Sequence, residues 1–364
     1  MSTVAFIDSI ATDRYLQQED SKDESLAHTI ELDDDLSLED DAQSIAELQA
    51  RRTSIAEQAK KVIRGVSVGA EEQRDPSYHQ DAKAQYYLPN DLPEHVRLEK
   101  QAAHLSKVMD DQILHAPVGD ASRILDIGCG TGIVTDLMSE AYPEADCIGL
   151  DLSTVPHIRP HRSNVRFFQG NVSSQDPTEW TAAAGSALPH DTNLFDYIFS
   201  RLLILGISDW PSFIVKELSL LKPGGWAEIQ DLAWDYFDQS GAIISSSWQW
   251  LEVMNSHLQA KGMDPHCGAK AARWMEEAGF EEVRTFRYVM PFCGESEATM
   301  EMREYGKFNC VSVPMMLHHA IPRASGQAEG ERVEAMRREM RECLRGGRGT
   351  CQAFYVTIGR KPVV

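Results

Sequence analysis

Residues Arg123 to Met138, R-I-L-D-I-G-C-G-T-G-I-V-T-D-L-M, constrain the fold more than any other stretch of this 364-residue chain. Ile124, Leu125 and Ile127 make a short apolar strand, and Gly128, Gly130 and Gly132 then interrupt it at every second position. From Ile133 the apolar residues Ile133, Val134, Leu137, Met138 and Ala141 recur at helical spacing, so a strand runs through a glycine turn into a helix. Glycine suits such a turn because a side chain would block both its positive φ angles and the approach of a ligand to the backbone. The unpaired N–H groups of the helix start then face whatever fills the gap. A G-x-G-x-x-G dinucleotide fingerprint would need glycine at position 133, where isoleucine stands. The pattern is instead Asp126-x-Gly128-x-Gly130-x-Gly132, with an acid inside the end of the strand.

Charge narrows the function classes. A net charge of −21 argues against phosphate-backbone binding as the main activity. Arg337, Arg338, Arg341, Arg345 and Arg348 alternate with Glu334, Glu339 and Glu342, which reads as a mixed-charge helix face and disfavours a nucleic-acid partner. No apolar run reaches the roughly eighteen residues of a membrane span, and no basic start precedes an apolar segment, so an intracellular protein of the cytoplasm or nucleus is expected, with no membrane partner. The seven cysteines show no C-x-x-C spacing; they are expected to be reduced packing residues, with no metal site. Residues 1–75 are acidic and almost free of aromatics, a composition that cannot offset the entropy of ordering, and form an expected disordered tail. Leu32, Leu36 and Leu38 among its acids offer a second reading, a peptide for a protein partner.

Residues 76–364 read as one α/β domain. Asn90 or Asp91 can cap a helix whose first turn accepts Pro93 and Glu94, with Leu92, Val96, Leu105, Met109 and Ile113 as its apolar stripe. After the glycine turn and its helix, Cys147 to Leu150 form a strand that ends in Asp151, about twenty residues beyond Gly132, the offset at which nucleoside-binding folds place a carboxylate on ribose hydroxyls. Val165 to Gln169 run into a polar turn at Asn171 and Val172, where an Asx-turn is the plain alternative to a ligand contact. A fourth strand ends at Arg201, Asp209 opens the next helix, Lys222-Pro223-Gly224-Gly225 closes it, and Trp226 to Asp231 form the fifth strand. Two further helices, over 242–259 and 268–278, precede strands at 281–290 and 352–358. The roughly sixty residues between those strands far exceed a hairpin and predict a helical insertion over 292–350, lying across the substrate opening.

The glycine motif resembles motif I of the class I S-adenosylmethionine (SAM) dependent methyltransferases. Y-Y-L-P-N-D at Tyr86 to Asp91 and the strings D-Y-I-F-S-R, S-D-W-P and L-K-P-G-G-W-A-E-I-Q-D between Asp196 and Asp231 are similar to the fungal LaeA-like members of that group. The resemblance implies a Rossmann-like seven-stranded sheet flanked by helices, the helical insertion standing before the last strand, and SAM as cofactor. It implies that Asp126, Gly128, Gly130 and Gly132 hold the methionine part, Asp151 the ribose, and Asn171 and Val172 the adenine, while Arg201 converges on the same site. It implies that one of the tyrosines Tyr86 and Tyr87, with Tyr87 carried forward, covers the pocket.

The same resemblance leaves two functions open: methyl transfer to a small molecule of secondary metabolism, and a LaeA-like regulator of secondary metabolism that works through protein partners while retaining SAM binding. SAM brings its own activated methyl, so a base is needed only if the acceptor loses a proton. Asp231, His318 and His319 are weak candidates for one, and apolar residues between Trp234 and Phe308 are expected to line a cavity reaching the methyl group. No Asn-Pro-Pro-aromatic string of amino-methylating DNA enzymes follows the fourth strand; Ser200-Arg201-Leu202 stands there. Deleting the segment before Arg74 should leave both the thermal midpoint and SAM affinity nearly unchanged, because a solvated acidic tail has few buried contacts to lose. Differential scanning fluorimetry and calorimetry on the shortened chain check this.

Overall fold

The computed structural model describes Tyr78, Tyr86 and residues 88–182, 195–292, 299–326, 330–345 and 349–363. The chain divides into two units, Met1–Gln43 and Ser44–Val364, and only the second contains described residues. The whole acidic tail over 1–75 lies outside them, as does Tyr87.

Eight strands form one sheet: β1 (Arg123–Ile127), β2 (Asp146–Asp151), β3 (Val165–Gln169), β4 (Thr181–Ala182), β5 (Phe195–Arg201), β6 (Leu221–Phe237), β7 (Glu281–Pro291) and β8 (Cys351–Arg360). Their order is β4-β3-β2-β1-β5-β6-β8-β7. The two-residue β4 is an antiparallel edge added to the seven expected strands. From β3 through β6 the pairs are parallel, and β8 returns antiparallel between β6 and β7. Parallel strands covered on both faces must be apolar on both faces, as β1 shows by burying all five residues. Alternate residues feed separate cores: Leu125, Ile148, Ile198 and Ala227 one, Ile124, Cys147, Tyr197 and Trp226 the other. Strand order reverses at β1, between β2 and β5, which opens a crevice at their carboxyl ends.

The described helices are α1 (Leu92–Val108), α2 (Ile133–Ala141), α3 (Trp210–Leu220), α4 (Gln249–Ala260), α5 (Cys267–Ala278), α6 (Met300–Ser325) and α7 (Glu331–Leu344). The caps follow the sequence signals: the Asp91 and Asp209 carboxylates accept the N–H groups of Glu94 and Ser212, and Gly279 ends α5 in the left-handed region at φ 98°. Lys222 to Gly225 bulge out of β6, since Leu221 pairs with Phe195 and the next paired residue is Trp226. The predicted insertion is α6 and α7.

Two expectations need correction. The apolar stripe of α1 is buried only towards its end: Leu105, Met109 and Ile113 are buried, whereas Leu92 is 44 % exposed and the first turns bury Glu94, Arg97 and Glu99 instead. Partners unseen in a helical wheel offset that burial, because Arg97 pairs with Glu94 through two hydrogen bonds of 2.7 Å and Glu99 meets Arg159 at 2.9 Å. Five cysteines, Cys129, Cys147, Cys267, Cys343 and Cys351, are free, but Cys310 is disulfide-bonded. Spacing carried no sign of that bridge.

The loop between α1 and β1 is fastened by one buried acid. Glu228 on β6 accepts the N–H groups of His115 and Ala116 at 2.8 Å, the Tyr197 hydroxyl at 2.8 Å and the Gln230 amide at 2.6 Å. Burial alone would raise its pKa, but hydrogen bonding from His115, Ala116 and Gln230 more than offsets this and holds the carboxyl below its ordinary value. Glu228→Leu strands those donors in the interior and should cost about 3 kcal/mol of unfolding free energy, measured by urea titration.

Candidate functional site

The crevice at the ends of β1, β2, β3 and β5 is a cavity walled by five segments. The glycine turn gives Asp126 to Thr131, β2 gives Leu150 to Thr154, β3 gives Gly170 to Ser173, β5 and its loop give Phe199, Arg201 to Leu203 and Gly206 to Ser208, and the entrance to α1 gives Tyr86, Pro89, Asn90, His95, Leu98 and Gln101. Of the residues the resemblance singled out, Asp126, Gly128, Gly130, Asp151, Asn171, Val172 and Arg201 meet here. Tyr86 lines the wall, and Tyr87 lies outside the described residues.

The turn has the backbone its glycines predicted, with φ 68°, 56° and 76° at Gly128, Gly130 and Gly132. They do different work. A Cβ at Gly130 would meet only a Leu98 carbon at 3.6 Å, so that face is open to a ligand, whereas at Gly128 it would strike the Leu203 side chain at 2.4 Å. Gly132 does not line the cavity; it starts α2, and a Cβ there would strike the Phe167 ring at 2.5 Å.

Asp151 clips the turn in place. One carboxylate oxygen accepts the Gly130 N–H at 2.9 Å and the other accepts the Ser153 N–H at 3.0 Å. The Asn171 side-chain oxygen accepts the Ser173 N–H at 3.0 Å, so the Asx-turn forms. Glu99 and Arg159 brace the turn from outside: the Thr131 hydroxyl donates to Glu99, and Arg159 donates to the Thr131 carbonyl at 2.7 Å and to Asp136 at 2.5 Å.

Two opposite charges face the cavity from adjacent strands. Asp126 accepts the Thr135 hydroxyl at 2.6 Å, and burial pushes its pKa up to about 6 against the lowering effects of Thr135 and Arg201. Arg201 has its pKa brought down to about 10 by burial, with Asp126 opposing. Its guanidinium makes no hydrogen bond or ion pair with the described residues.

Sequence reasoning missed His95. It sits with Leu98 and Gln101 at i, i+3 and i+6 of α1, the helical spacing that could have revealed a cavity-facing stripe. Its Nε2 donates to the Asn90 carbonyl oxygen at 2.7 Å, and burial lowers its pKa despite nearby Asp91, Glu94, Asp151 and Glu99.

The base candidates fall elsewhere. Asp231 is buried away from the cavity lining, with backbone N–H groups on both carboxylate oxygens. His318 and His319 lie on α6 with ring centroids 5.2 Å apart, and neither lines the cavity. No described residue between Trp234 and Phe308 lines it either: Trp234, Tyr236, Trp250 and Phe292 are buried in the core instead.

A buried acid with a raised pKa holds its proton more tightly in the folded chain than in the unfolded one. Its contribution to stability is therefore lost as pH rises from the ordinary carboxylate range through about 6. Asp126→Asn keeps an acceptor for Thr135 and removes the charge, so it should raise stability by roughly 1–3 kcal/mol at about pH 8 and hardly at all near pH 4. Chemical denaturation at the two pH values checks this.

The family described as a methyltransferase domain matches residues 98–285, more than half of the chain. The methyltransferase pytC of Aspergillus terreus is 31 % identical over 222 residues, covering 59 % of this chain and 63 % of that protein. The methyltransferase str2 of Strobilurus tenacellus is 27 % identical over 191 residues, 52 % and 65 % of the two chains. The secondary metabolism regulator LAE1 of Pyricularia oryzae is 29 % identical over 245 residues, 64 % and 71 %. The chain thus spans less than two thirds of the length of the first two relatives. A glycine turn, a ribose-type acid and a sheet that reverses beside them agree with the matched domain, and the chain belongs to the methyltransferase-domain family, among relatives that include fungal methyltransferases and LaeA-type regulators.

Proposed function

We propose that this protein is a SAM-dependent methyltransferase acting on a small molecule of secondary metabolism. The observation that carries the reading is one cavity in which the open face of Gly130, the carboxylates of Asp126 and Asp151, the Asn171–Val172 turn and the Arg201 guanidinium come together. The residues present fit the cofactor. Asp151 takes the ribose hydroxyls, Asn171 and the Val172 backbone take the adenine, and Tyr86 covers them. Asp126 and Arg201 supply a negative and a positive group for the ammonium and carboxylate of the methionine part. Bound SAM supplies an electrophilic methyl group on a sulfonium. The chain's own task is then to hold donor and acceptor in line and exclude water, which the apolar wall of Leu98, Ile127, Leu202, Leu203 and Ile207 favours.

The likeness to LAE1, over a larger share of both chains than that to pytC, favours a second reading: a regulator that binds SAM and acts through a protein partner, with the acidic tail as a contact. No helix among the described residues is long and apolar enough to cross a membrane; we place the protein in the cytoplasm or nucleus, with nucleic acid not its partner.

Calorimetry should show S-adenosylhomocysteine bound by the intact protein, and binding weakened at least about tenfold by Gly130→Val, which fills the open face, and by Asp151→Ala, which removes the ribose acceptors. Unchanged affinity in both variants rules out the site. With labelled SAM and a small-metabolite extract, label should pass to a low-mass product and not in Gly130→Val. Label on protein alone supports the regulator.

A further inference from the structure

Asp231 lies outside the cavity yet is bonded to the loop that forms one of its walls. It directly follows Gln230, the last β6 residue paired with β5, and its side chain reaches across to the segment after β5. There Leu202 adopts φ 56°, a left-handed conformation that costs a non-glycine residue and persists only where its surroundings enforce it. The chain then makes a single helical turn, since the N–H groups of Gly206 and Ile207 both bond the Leu203 carbonyl, at 2.7 and 3.0 Å. The first N–H groups of such a turn have no partner within it. Asp231 supplies one from another strand: its carboxylate accepts the Leu203 N–H at 2.7 Å and the Ile204 N–H, as well as the Leu232 N–H at 2.8 Å.

The bond fixes more than the backbone. Leu203 projects onto the glycine turn so closely that its Cδ2 is 2.4 Å from where a Cβ on Gly128 would stand. We infer that Asp231 is a positioning residue for the cofactor site, a cap contributed across the sheet that seats the Leu202–Ile207 wall against Gly128. The inference rests on the SAM-site reading and deepens it: one wall of the site is set by a residue that touches no ligand.

The test compares S-adenosylhomocysteine affinity with thermal midpoint in the intact chain and three variants. Asp231→Ala should weaken binding by about tenfold, as loss of a good cap allows, and Asp231→Asn, which keeps one acceptor oxygen, should recover part of that loss. Leu203→Ala leaves the cap in place and removes the side chain that seats the wall, so it too should weaken binding, and it serves if Asp231→Ala fails to fold. Cys267→Ala removes a buried thiol beside the Asp231 carboxyl without removing an acceptor, and should change affinity less than about twofold even where the midpoint falls. Asp231→Ala or Leu203→Ala folding with unchanged affinity overturns the inference, as does Cys267→Ala weakening binding as much as they do. No binding by the intact chain overturns the SAM-site reading itself, and so is told apart from failure of the positioning role.

Discussion

The two hydrogen bonds that the Asp151 carboxylate accepts from Gly130 and Ser153 hold together everything that makes the crevice a site. A turn with three glycines at positive φ is entropically the loosest segment a chain can offer. Left alone it would populate many shapes. The acid at the end of the neighbouring strand selects one of them, and the register of β1 beside β2, with Ile127 opposite Leu150, delivers that acid to the turn. Around the clip the network of Thr131, Glu99, Arg159 and Asp136 holds the outer side.

Several of the charged groups involved are costly for the fold. Asp126 and Asp231 are both buried with pKa values pushed up, to about 6 and about 7, by loss of solvent. Apolar residues would pack more cheaply there. Their retention is explained by the backbone and hydroxyl donors around them: Asp126 orients Thr135 at the start of α2, and Asp231 orients the wall opposite it.

What could be read from sequence was whatever is encoded locally. The glycine turn, the Asp91 and Asp209 caps, Gly279 and the alternation of strand and helix rest on neighbours within a few residues, and the structure has them. The burial of charged residues in the first turns of α1 was not legible, because Glu99 is held by Arg159 and Thr131, far along the chain. Asp231 was read as a potential base from its place at a strand end; its partners Leu203 and Ile204 belong to another crossover. His95 escaped notice because its spacing with Leu98 and Gln101 marks a shared helix face but not that this face meets a cavity. The disulfide at Cys310 likewise had no spacing signature.

Among the described residues, all lining of the cavity comes from positions 86 to 208, although the sheet continues to Arg360. Such an arrangement invites recombination: the later half of the chain can be exchanged with that of a relative while the cavity travels as a block. The natural place to join two parents is nonetheless not directly after Ser208. Because the 202–207 wall is capped from β6, a junction between 208 and 231 would pair one parent's loop with the other parent's cap, and a functional chimera has to carry the donor sequence through Asp231.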